Sequence, residues 1–259
     1  MPEKGKVFFV GAGPGDPELI TLKGKRLLEQ ADVIVYTGSL LNPEILKFSK
    51  PGAKLYDSAV MSLGEIVKTM VDAAQEGKTV VRLHDGDPSF YGAIKEQMDL
   101  LTKEKIEYAV VPGVSSLQAA AAALKRELTL PTISQTVIIT RPEGRTPVTE
   151  VENLVELARH RATMAIFLGI QAIDAVVEKL RLGGYPEDTP VAVVYKASWR
   201  EEKIVKGTLS DIAGKVREAE IKSTALILVG EVLDPKSYDY SKLYDAGFAH
   251  SFRKGPKDV

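Results

Sequence analysis

Short apolar runs and longer stretches with helical periodicity alternate along the chain. Residues 6–10 (KVFFV) read as a buried strand, Glu18 to Ala31 as a helix, and Asp32 to Tyr36 as a second strand. Over 62–76, Leu63, Ile66, Val67, Met70, Val71 and Ala74 fall at the spacing of one helical face, and Gly77 supplies the stop. A strand at 78–83, a helix at 92–104, a strand at 106–111 and an alanine-rich helix at 115–124 complete a first set. A second set begins near residue 133. It has a strand ending at Thr140, a polar stretch with two prolines and a glycine, helix 150–160, strand 162–168, helix 171–182 and strand 190–195, then strand 203–207, helix 209–219 and strand 224–229. Strands alternating with helices predict an α/β protein. The pattern places a first domain over 1–128, a second over 129–240 and a polar, aromatic, weakly ordered tail over 241–259, with the boundary between Lys125 and Ile133.

Composition changes this picture mainly by exclusion. The chain has 259 residues and no cysteine, so disulfides, thiolate metal sites and cysteine nucleophiles are absent. Its three histidines, His84, His160 and His250, are far apart and fit no metal-ligand spacing, so no protein-bound metal is expected. A formal net charge of −1 argues against a broad nucleic-acid surface. No apolar run approaches the roughly 18 residues of a membrane span. The opening MPEKGKVFFV lacks a signal-peptide core, so the chain reads as cytoplasmic.

Four segments could carry chemistry. VGAGPGDPELIT (10–21) lies on a strand-to-helix turn, the context of a dinucleotide loop. The spacing fails, because Asp16 stands where the third glycine belongs and Pro14 lacks an N–H. RLHDGDPSFYGAIKEQM (82–98) places Asp85 and Asp87 around Gly86 at the carboxyl end of a strand, where open α/β sheets bind ligands. The plainer reading has Asp87 capping a helix that Pro88 begins. VVPGVSSLQAAAAAL (110–124) offers Ser115 or Ser116 as a helix cap, either as a structural turn or as a binding loop. TRPEGRTPV (140–148) brings Arg141 and Arg145 close together, which suits carboxylate binding or a solvated linker.

Taken in order, these segments resemble the tetrapyrrole methylases, the class III S-adenosylmethionine-dependent methyltransferases. FLGI (167–170), VVYKASWREEKI (193–204) and ALILVG (225–230) extend the likeness over about residues 6–235. RLHDGDPSFYGAIKEQM, ISQTVIITRPEGRTPV and VYKASWREEKIV point to the branch that methylates C-11 of precorrin-4 or its cobalt form in cobalamin biosynthesis. Uroporphyrinogen methylases typically carry two glycines before the Asp-Pro. Asp85 replaces the first of them here, with His84 before it.

The resemblance implies two α/β domains in tandem with a cofactor cleft between them, S-adenosylmethionine as cofactor, a corrin-type tetrapyrrole as substrate, and a homodimer. Carried over by position, the cofactor contacts are Pro14, Asp85, Gly86, Asp87, Phe90, Ser115, Ser116, Leu168 and Ala197. At Leu168 the uroporphyrinogen enzymes usually have methionine. The glycine loop, with Gly13, Gly15 and Asp16, is expected to border the substrate, as are His84, Tyr91, Arg141 and Arg145. Methyl transfer from a sulfonium expels a neutral thioether and needs chiefly positioning, so no triad is required. Another methylase of the family, acting on a different corrin carbon, on diphthine or on ribosomal RNA, stays open, as does a non-catalytic nucleotide-binding module.

Overall fold

A computed structural model of the chain describes residues 5–144, 146–245 and 247–254. The chain packs as two units, the first made of residues up to Leu124 together with Val194–Lys203, the second of Lys125–Val193 and the residues from Ile204 onward.

In the first unit the order is β1 (Val7–Gly11), α1 (Leu22–Gln30), β2 (Val33–Tyr36), β3 (Lys54–Asp57), α2 (Leu63–Gln75), β4 (Val80–His84), α3 (Lys95–Lys103), β5 (Tyr108–Val111) and α4 (Ser116–Leu124). The five strands form one parallel sheet in the order β3-β2-β4-β1-β5. Val7, Phe9, Val33, Val35 and Val80 face α2 and α3. Val10, Ile34, Val81 and Leu83 face α1. Both faces are covered, so these strands read as continuous apolar runs. Helix α2 shows why its segment folds locally. The Ser62 hydroxyl and the Glu65 side chain cap each other's backbone N–H groups. Its apolar stripe of Ile66, Val67, Met70, Val71, Ala73 and Ala74 is buried, each large side chain contributing about 1.5–3 kcal/mol.

The connection that leaves β1 runs to the α1 face, and the one that leaves β4 runs to the α2–α3 face. These strands are neighbours, with Gly11 opposite His84. Such a reversal opens a crevice at the carboxyl ends of the two strands.

The second unit holds β6 (Val137–Thr140), α5 (Leu154–Ala158), β7 (Thr163–Ile166), α6 (Ile173–Leu182), β8 (Pro190–Tyr195), β9 (Lys203–Thr208), α7 (Ile212–Glu218) and β10 (Ala225–Val229). Its sheet order is β6-β7-β10-β8-β9. The β7 strand is parallel to β6 and antiparallel to β10, and its four residues are buried.

Three expectations shift. Strand β3 is absent from the sequence reading because Lys54, Leu55 and Tyr56 are exposed at the sheet edge and give no apolar run. Helix α3 begins at Lys95, since Tyr91 and Ala93 take positive φ (57° and 48°). The described part of the tail is locally organised: a 3-10 turn at Lys242–Tyr244 and a bridge between His250 and Arg253 are tied by the Arg253 guanidinium to the carbonyls of Leu243, Asp245 and Phe248. No helix among the described residues is long and apolar enough to cross a membrane.

Candidate cofactor and substrate site

Three of the motif turns meet at the β1/β4 crevice. Gly13 and Gly86 pair through Gly86 N–H to Gly13 O (2.8 Å) and Gly13 N–H to Gly86 O (3.3 Å). A Cβ on Gly113 would stand 2.1 Å from Gly86 O, and one on Gly11 2.6 Å from the Gly113 Cα. Only glycine allows these backbones to approach so closely. Asp87 fastens the second turn to the third, its Oδ2 accepting the Gly113 N–H at 2.8 Å. Its Oδ1 accepts from Ser89 N–H (2.8 Å) and from the Ser89 hydroxyl. Burial pushes the Asp87 carboxyl up, but these hydrogen bonds outweigh it and hold the group below the usual carboxylate range. Asp87 therefore does not cap a helix at Pro88, since residues 88–91 form a turn and the helix begins only at Lys95. The cap is Ser115, whose Oγ accepts the Leu117 N–H at 3.3 Å at the start of α4. Ser116 follows it, half-buried.

Asp85 and His84 have opposite surroundings. Asp85 is half-buried; its Oδ1 accepts from the Thr37 hydroxyl, and its backbone N–H donates to the Thr37 hydroxyl oxygen (both 3.2 Å). Burial raises its carboxyl above the usual range. His84 points into the α2–α3 side of the sheet. It is 2% exposed, stacked on Phe9 at 6.2 Å between centroids, and its Nε2 has no partner. Burial, with the nearby Arg82 charge, pushes its pKa down to about 3, so the ring is neutral. A direct substrate contact does not fit so enclosed a ring, and we assign His84 to packing. Arg82, which opens the RLHDG motif, is 4% exposed and holds β4 to its surroundings through Gln97 Oε1 (3.1 Å) and the Val35 carbonyl (3.2 Å). Burial lowers its pKa to about 10.

The glycine loop is gripped by Val194–Lys203. The Trp199 indole donates Nε1–H to Pro14 O (2.9 Å) and lies so close to Gly15 that a Cβ there would sit 2.0 Å from the ring. Asp16 N–H donates to Ser198 Oγ (3.0 Å), and Asn42 Nδ2 donates to Gly15 O (2.8 Å). The Asp16 carboxylate caps the turn at Pro17–Leu19 through Glu18 N–H (2.9 Å). Ala197 is buried, while Phe90 and Tyr91 are exposed on the turn after Asp87.

Residues 6–213 match the family model for Tetrapyrrole (Corrin/Porphyrin) Methylases. The chain belongs to this family. It is 63% identical over 257 residues to the cobalt-precorrin-4 C(11)-methyltransferase of Methanocaldococcus jannaschii, covering 99% of each chain. Its fold matches the X-ray structure of a cobalamin biosynthetic enzyme, cobalt precorrin-4 methyltransferase, with TM-score 0.87 and 52% identity over 89% of this chain and 96% of that one. It also matches the uroporphyrin-III C-methyl transferase of Thermus thermophilus complexed with S-adenyl homocysteine, with TM-score 0.75 and 30% identity over 89% and 94% of the two chains.

Tetrapyrrole methylase motifs also occur in the second unit. Leu168 is 65% exposed and holds φ at 56°, a conformation that leucine adopts only at a cost of about 1–3 kcal/mol. The Arg141 guanidinium, expected to meet substrate carboxylates, donates within its own loop: Nη1 to Pro142 O and Thr146 O, and Nη2 to Pro147 O (3.0–3.2 Å). Arg145 lies outside the described residues. A surface depression of about 690 Å³ lies between α6 and α7 and is lined by residues such as Asp174, Asp211 and Lys215, with none from the family motifs. Among the described residues no cluster of histidine and carboxylate side chains is arranged to hold a metal. The sequence reading missed Thr37, Ser198 and Trp199. Their only signals were a hydroxyl at the end of β2 and a lone tryptophan inside a family motif.

Proposed function

We propose that this chain transfers the methyl group of S-adenosylmethionine to C-11 of precorrin-4, with or without its cobalt, in cobalamin biosynthesis. The observation that carries the reading is the meeting of the Gly11, Gly86 and Gly113 turns at the β1/β4 reversal, in a chain nearly two-thirds identical to a protein named for this reaction. The residues fit such a cofactor. Gly86 holds φ at 56° and a Cβ there would find its nearest neighbours 3.7 Å away, leaving room beside the turn. Asp87 offers an ionised acceptor for hydroxyl or amino groups. The loop at Gly13–Asp16 carries an acid in place of the extra N–H donors that a phosphate would want, and this cofactor has no phosphate.

When bound, the cofactor supplies an electrophilic methyl on a sulfonium sulfur. The protein's task is to hold that methyl in line with the attacking carbon, and positioning alone can supply about 7–11 kcal/mol. In this reading Asp87 orients the cofactor while keeping the Gly113 turn in place, and Pro14, Asp85, Gly86, Phe90, Ser115, Ser116, Leu168 and Ala197 complete its surroundings. Gly13, Gly15, Asp16 and Tyr91 border the macrocycle. The working form is a homodimer, checked by sedimentation against the 28.2 kDa chain mass. The deciding experiment is a single-turnover reaction with precorrin-4 and cobalt-precorrin-4, read by mass spectrometry and by the position of the new methyl. Methylation at another carbon, or none, would overturn the assignment.

A further inference from the structure

A tetrapyrrole decorated with acetate and propionate groups must be met by positive charge, and a net charge of −1 gives the protein no general attraction for it. Arg141, the residue first suited to this task, already donates to three carbonyls of its own loop. The first unit offers another cation. The Lys196 ammonium sits 4.7 Å from the centre of the Trp199 ring and 5.6 Å from that of Tyr195. Among the described residues no carboxylate pairs with it, although eleven other ion pairs are formed.

The backbone around Lys196 is held in an unusual form. Lys196 has φ 46° and Ser198 has φ 69°, both in the region that favours glycine. Such strain persists only where surrounding contacts impose it, and it gathers at sites that position ligands. The contacts here are explicit. The Glu202 carboxylate accepts Ser198 N–H (2.7 Å), Ser198 Oγ accepts Asp16 N–H, and Trp199 is clamped on Pro14 and Gly15. The segment therefore fixes an ammonium, through an aromatic platform, beside the glycine loop of the crevice. An aromatic face strengthens the hold on a cation without neutralising it, so the charge stays available to an anion.

We infer that Lys196 is a substrate-positioning residue that binds a carboxylate of the tetrapyrrole, with Trp199 as the platform that sets its place against the glycine loop. The inference rests on the proposed tetrapyrrole substrate and adds which side chain selects it. A carboxylate so bound orients the macrocycle relative to the loop, and an uncharged analogue gains nothing from it.

The test uses the full-length protein and the variants Lys196→Met and Lys196→Arg. Trp199 is the only tryptophan, so its emission reports on this place alone. Uroporphyrin, a tetrapyrrole with acetate and propionate groups, serves as binding probe, and its binding is read by quenching of that emission. Expected for Lys196→Met is about a tenfold rise in the KM for precorrin-4 and in the uroporphyrin Kd, with S-adenosylhomocysteine binding within twofold of wild type. Lys196→Arg should recover most of the affinity, and high salt should shrink the difference. Unchanged KM and Kd in Lys196→Met overturn the inference. So does an equal loss of S-adenosylhomocysteine binding with a shifted emission maximum, which marks Lys196 as a mere brace for Trp199. If wild type fails to methylate precorrin-4, the functional reading falls, and the uroporphyrin measurement still decides the role of Lys196.

Discussion

His84 titrates in the unfolded chain and hardly at all in the folded one, which makes it the sharpest probe of the β4 packing. An ordinary histidine has a pKa of 6.5, and burial beside Phe9 takes this one to about 3. Its folded pKa is depressed, so the neutral ring favours folding above pH 6.5, and that contribution is lost as the pH falls from 6.5 toward 3. Between pH 7 and pH 5 the unfolded chain takes up about three-quarters of a proton at this residue and the folded chain almost none. The integrated loss is about 2 kcal/mol, out of an overall stability of roughly 5–15 kcal/mol. His84→Phe keeps a ring in the same layer, removes the orphaned Nε2 and abolishes the titration. Urea unfolding at pH 5, 6 and 7 should show a smaller acid loss in His84→Phe, by about 2 kcal/mol over the interval. Asp85, whose raised pKa works in the opposite direction, is present in both proteins and cancels in the difference. Parallel pH dependences in the two proteins would mean that His84 is protonated or open to water in the native state, and the packing role would fall.

Asp87→Ala should weaken S-adenosylhomocysteine binding by about 1.5–3 kcal/mol, and Asp87→Asn by less, because the amide oxygen still accepts from Gly113. Calorimetry giving wild-type affinity for a folded Asp87→Ala protein would leave Asp87 as a fastening between turns and nothing more. Gly15→Ala places a methyl inside the Trp199 ring and should displace it, shifting the emission to longer wavelength. The penalty should largely vanish in a Trp199→Ala background, and additive costs in that double-mutant cycle would contradict the contact. Ser115→Ala removes the cap of α4 and should cost about 1 kcal/mol in chemical denaturation.

Much of this molecule follows from local sequence. The α2 stripe and its Ser62–Glu65 cap, the buried runs of β1 and β4, and the turns at Gly13, Gly86 and Gly113 are set by periodicity and by residues with one strong conformational use. The ordered series of motifs was enough to point to the tetrapyrrole methylases, because backbone turns that must approach one another leave glycine and proline at fixed places. Side-chain roles were less legible. Nothing in RLHDG distinguishes an aspartate that meets Thr37 at the crevice from a histidine sealed against Phe9, because alternation along β4 sends neighbours to opposite faces and only packing reveals what covers each face. Arg141 looked like a free cation because proline-rich loops give no sign of where their carbonyls will point. Trp199 and Gly15 are far apart in sequence and each is unremarkable alone. Only the tertiary fold brings a late segment back to the first unit, and that long-range contact decides why one glycine must be small and why one lysine is held in place.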